Sequence, residues 1–87
     1  MREDIQYEIL EYLSRYPDAR DSAEGIKTWW LSPNTEATLP EVEDALHELV
    51  RLHWVNQAGE GKVHLFGLEM TAKNEISAYL QREHRRG

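Results

Sequence analysis

The chain has 87 residues, with 10 Lys and Arg against 16 Asp and Glu, a formal net charge of -6 and no cysteine. That length allows one domain, 1–87, with a core over about 5–80 and a basic, frayed tail at 81–87, and it leaves little room for a large enclosed active site. Without cysteine there are no disulfides, thiolate zinc sites or cysteine nucleophiles; apolar runs of only a few residues and the opening Met1-Arg2-Glu3-Asp4 argue against a membrane span or a signal peptide, so a cytoplasmic protein is expected.

Ile5, Ile9, Tyr12, Leu13 and Tyr16 recur every three or four residues and predict a first helix with one apolar stripe, stopped by Pro17. Tyr7 and Leu10 fall off that stripe, where they pack on another helix of the same chain or form a patch for self-association. Asp21 and Glu24 have capping-box spacing and open a second helix running through Leu31. On it Ala23, Ile26 and Trp30 share a face, with Trp29 at its border, and Gly25 hints that another part of the backbone comes close. Thr38 and Glu41 form a second capping box with Pro40 in the first turn, and the third helix buries Val42, Ala45, Leu46, Leu49 and Val50. Asp44, His47, Glu48 and Arg51 point the other way, with Glu41 at the margin. A β-hairpin follows over about 54–67, its turn at Ala58-Gly59-Glu60-Gly61, with Val63 and Leu65 alternating with His64 and Phe66. Thr71 caps a last helix carrying Ile76, Tyr79 and Leu80 on one face. The fold class is therefore mainly α with a small β-hairpin (α+β).

Ala45-Leu46-His47-Glu48-Leu49-Val50-Arg51-Leu52-His53-Trp54-Val55 resembles the end of the third helix in bacterial winged-helix transcriptional regulators, where Ala-Leu-x-x-Leu-Val leads to Gly-Leu-Val and the wing. Gly61 to Leu68 before Met70-Thr71 is similar to the return strand of that wing. The resemblance implies a winged helix-turn-helix: a three-helix core, a wing and a C-terminal helix. His53 stands where the family has glycine in a left-handed helix cap, a conformation that histidine tolerates. A first strand near Ala19-Arg20 is expected to be vestigial, and the loop Ser32 to Ala37 is longer than a tight helix-turn-helix turn.

The family's commonest use is DNA binding, with the third helix in the major groove. The charges oppose it, because Glu41, Glu43, Asp44 and Glu48 face a single base, Arg51, on the segment that would meet phosphates. Residues 1–50 hold twelve acids and four bases, net -8, and residues 51–87 four acids and six bases, net +2. A DNA-binding reading is left with Arg51, Lys62, His64, Arg82, Arg85 and Arg86, which also read as ordinary solvated surface. The favoured expectation is a non-catalytic module whose Trp29, Glu41, Asp44, His47 and Glu48 meet a protein of basic surface; DNA binding is the alternative. Self-association through Tyr7, Leu10, Ile76, Tyr79 and Leu80 follows from analogy with the family. His47 lies near Glu43 and Asp44, but two ligands do not make a metal site, and no catalytic residue, metal or cofactor is expected.

Overall fold

The computed structural model describes residues 2–59 and 64–86, the side chains of residues 85 and 86 excepted. Helix α1 spans Glu3–Arg15, strand β1 Arg20–Asp21, and α2 is a short α-helical turn, Ala23–Gly25, that widens into a π-helical turn over Ile26–Trp30. After a 3₁₀ turn at Pro33–Thr35 come α3 (Leu39–Arg51), β2 (Val55–Ala58) and β3 (Leu65–Leu68), then a 3₁₀ turn at Met70–Ala72 and α4 (Lys73–Arg86). The architecture is mainly helical with one small antiparallel sheet of strand order β1-β3-β2. The turn expected at Ala58-Gly59-Glu60-Gly61, together with Lys62 and Val63, lies largely outside the described residues.

Apolar burial organises the helices. Ile5, Ile9 and Leu13 on α1, Ile26 in the π-helical turn, and Val42, Ala45, Leu46 and Leu49 on α3 are all within 1% of complete burial. Leu10 joins them, which corrects its place off the core stripe. The reason is that α1 packs against α3, α4 and the π-helical turn together, so its buried face is wider than one seam. Tyr16, by contrast, is exposed at the end of α1.

Four helix ends decide the local geometry. The capping box of α3 forms as the sequence predicts: Glu41 N–H donates to Thr38 Oγ1 (3.3 Å) and Thr38 N–H to Glu41 Oε1 (3.0 Å). At the other end Leu52 is the C-cap, and His53 takes φ 62°. His53 N–H donates to the Val50 carbonyl and Trp54 N–H to the Leu49 carbonyl, each at 3.0 Å, the paired bonds of a Schellman motif closed by histidine in place of glycine. The start of α2 differs from expectation. Its cap is Ser22, whose Oγ accepts from Gly25 N–H at 3.2 Å, while Asp21 lies in β1 and its carboxylate accepts from Ser22 N–H at 2.8 Å. A Cβ on Gly25 would run into that Asp21 carboxylate, so a side chain, and not another backbone, is what requires glycine here. The cap before α4 also moves, from Thr71 to Glu69, which accepts from Thr71 N–H at 3.4 Å; the carboxylate reaches the first turn because that turn is 3₁₀.

In the hairpin Val55 pairs with Leu68 and Gln57 with Phe66. With side chains alternating across the sheet, Phe66 and Leu68 turn inward beside Val55 and Leu65 is left outward. On the outer face Arg20 Nη1 reaches across Gly67 to Asn56 Oδ1 at 3.2 Å, and a Cβ on Gly67 would stand 3.0 Å from the Arg20 stem. Among the described residues no helix is long and apolar enough to cross a membrane.

Candidate functional site

The connection from α2 to α3 is held from below by α1. Arg2 Nη2 donates to the Thr35 carbonyl (2.7 Å) and to Asp4 Oδ2 (2.7 Å), and its Nη1 to Glu41 Oε1 (3.3 Å). Glu8 accepts from Ser32 N–H at 2.8 Å and from the Thr35 hydroxyl. Sequence spacing gave no sign of this clamp, because its contacts to the loop and to α3 join residues 24 to 39 positions apart. It fixes the loop Ser32 to Ala37, where Glu36 takes φ 50°.

Between the Ser22 cap and this clamp, the π-helical turn separates the two adjacent indoles. Trp30 is buried and stacks on Tyr12 (centroids 4.6 Å apart, planes 10° apart), whereas Trp29 is 75% exposed. Trp54 is half-buried, edge-on to Tyr79 at 5.5 Å, and its Nε1 donates to Glu75 Oε2 at 3.1 Å.

The acids of α3 divide into two groups. Glu41 is held in the capping box and by Arg2. Its carboxyl titrates below the usual range, because the Thr38 backbone N–H, the Thr38 hydroxyl and then the Arg2 charge favour the ionised form. Glu48 binds Arg51 through both carboxylate oxygens, with Nε at 2.9 Å from Oε2, and its carboxyl is lowered by the same contact. Glu43 and Asp44 are exposed, and neither they nor His47 has a hydrogen-bond or ion-pair partner among the described residues. Of the expected recognition set, Glu41 and Glu48 thus serve the helix itself, while Asp44, His47 and Trp29 are open to a partner.

A shallow hollow of about 350 Å³ lies between α2, α3 and the hairpin. Glu24 comes from α2, Leu39, Glu43 and His47 from α3, and Gln57, His64 and Phe66 from the hairpin. Sequence reasoning missed this group. Glu24 read as a capping residue, and Glu43 and His47, four apart on one edge of α3, gave no hint of a wall from another element. Trp29 is not among the hollow's lining residues. No three His, Asp or Glu side chains among the described residues converge so as to hold a metal ion.

The residues named for DNA binding are scattered. Arg51 is tied to Glu48, His64 lines the hollow and Arg82 is exposed on α4. Lys62 and the side chains of Arg85 and Arg86 lie outside the described residues. Of the residues named for self-association, Leu10 and Ile76 are core residues of this chain, a correction that follows from α4 packing along α1. Tyr7 and Tyr79 meet at 6.5 Å between ring centroids, and burial pushes both phenols above their ordinary pKa, helped by Glu11 for Tyr7 and by Glu83 for Tyr79. Tyr7 and Leu80 line a groove of about 460 Å³ between the two helices, with Leu13, Leu68 and Ile76 at its base.

Compared with models of protein families and with curated protein sequences, the chain matches none of them.

Proposed function

We propose that the chain is a winged-helix recognition module that binds a protein partner and performs no chemistry of its own. The winged-helix part of this reading is supported by the succession α1-β1-α2-α3-β2-β3-α4, by the sheet order β1-β3-β2, and by the left-handed His53 that ends α3 ahead of the hairpin. The choice of partner rests on one observation. The solvent face of α3 carries Glu43 and Asp44, which have no ion-pair partner among the described residues, while its single base, Arg51, is neutralised by Glu48. DNA affinity comes mainly from cations that displace counterions from phosphates, and a helix with this face offers repulsion instead. A basic protein surface meets the same face with complementary charge, and exposed Trp29 supplies an aromatic anchor of the kind that dominates interface energetics.

Titration of the purified chain with mixed-sequence duplex DNA at low salt tests the reading. No saturable binding is expected. Micromolar binding that tightens when Glu43 and Asp44 become Gln and Asn would overturn it in favour of a DNA-binding module anchored by the hairpin and the C-terminal arginines.

A further inference from the structure

The hollow between α2, α3 and the hairpin combines three features. Its apolar lining includes the half-buried Leu39 and the buried Phe66. Its walls carry Glu24 from one helix and Glu43 from another, neither with an ion-pair partner among the described residues. Among those residues no lysine or arginine lines it, and its remaining polar groups include the His47 and His64 imidazoles and the Gln57 amide, which can bond to a peptide backbone.

We propose that this hollow docks a short basic peptide segment in which an apolar residue is flanked by Lys or Arg, the segment belonging to the partner protein. This rests on the protein-recognition reading above and gives that partner a contact in addition to Trp29 and Asp44. The volume, near 350 Å³, takes one or two side chains and not a folded domain. An apolar side chain on Leu39 and Phe66 leaves its cationic neighbours beside Glu24 and Glu43. Two carboxylates on separate elements favour two positive charges and reject an acidic segment or a phosphate by like-charge repulsion. Glu41 and Glu48, already bound to Arg2 and Arg51, contribute no comparable attraction.

The test is a titration of the ¹⁵N-labelled full chain with a synthetic peptide built on Arg-Leu-Arg between Gly-Ser flanks, with the Glu-Leu-Glu peptide as counterpart. The basic peptide should shift the amides of Glu24, Glu43, His47 and Gln57, and the acidic one should shift none of them. Glu24→Gln and Glu43→Gln should each weaken binding roughly two- to fivefold, the range of one partly exposed ion pair. Gln57→Arg, on an exposed strand position, should weaken it as well, while Asn74→Ala, at an exposed position on α4 away from the hollow, leaves it unchanged. No response to the basic peptide at millimolar concentration, or binding indifferent to both glutamate variants, overturns the proposal. Shifts centred on Trp29 and Asp44 overturn the site but keep protein recognition, whereas duplex DNA binding at low salt overturns protein recognition itself.

Discussion

On α3 the inner stripe of Val42, Ala45, Leu46 and Leu49 is at most 1% exposed, while Glu43, Asp44 and His47 a few residues away project into solvent without a partner among the described residues. Both sets belong to one helix of 13 residues, and both ends of that helix are closed by specific hydrogen bonds. The contrast teaches that one face of the helix carries the packing of the fold while the other is left to solvent. The acids that the fold uses, Glu41 and Glu48, are tied to Thr38, Arg2 and Arg51, and Glu43 and Asp44 make no hydrogen bond or ion pair among the described residues. Glu43 and Asp44 can therefore be altered with little structural consequence, and the inner stripe cannot.

Four tests probe that division. The largest effect is expected for Leu46→Ala, a fully buried truncation that should cost about 2 to 5 kcal/mol in urea unfolding; a cost near zero would mean that the inner stripe is not the core. Thr38→Ala removes the hydroxyl that accepts from Glu41 N–H and should cost about 1 kcal/mol, read from the same curves. Acidification acts next on the committed carboxyls. Asp4 is lowered by its hydrogen bond to Arg2, Glu41 by Thr38 and Glu48 by Arg51, from ordinary values of 3.8 for Asp4 and 4.5 for the two glutamates. A carboxyl whose folded pKa is depressed binds its proton more readily when unfolded. The stability it confers is complete above those ordinary values and is lost as the pH falls through the lowered folded ones. Thermal midpoints should thus hold down to about pH 5 and then decline, and Glu41→Gln should flatten that decline. The smallest effects are expected from Glu43→Gln, Asp44→Asn and Trp29→Ala, each within about 0.5 kcal/mol of the parent, as for surface positions outside any network. If Asp44→Asn cost as much as Thr38→Ala, the division between the two faces would fail.

The α3 box was legible because capping is a property of neighbours: Thr38 and Glu41 are three apart, and helix geometry alone brings them together. The same spacing misled at Asp21 and Glu24. There β1 pairing with β3 draws Asp21 into the sheet and passes the cap to Ser22. His53 was readable as a left-handed residue because the pattern around it resembles a family that has glycine at that place, and its φ of 62° agrees. Leu10 was misplaced because a wheel shows one stripe, and it cannot show that three elements surround α1.

Taken alone, the sequence determined the order of helices and strands, the inner stripe of α3, the acidic character of its outer face and the pairing of the hairpin. All of these follow from periodicity, turn residues and charge within a few residues. Only the tertiary structure decided which indole is free, which acids are bound and which meet across the hollow. Trp29 and Trp30 are adjacent in the chain, yet Trp30 finds Tyr12 and Trp29 finds water. Glu24, Glu43 and His64 become neighbours solely because α2, α3 and the hairpin close on one core. Contacts of that kind depend on how the buried faces stack, and no local spacing encodes them.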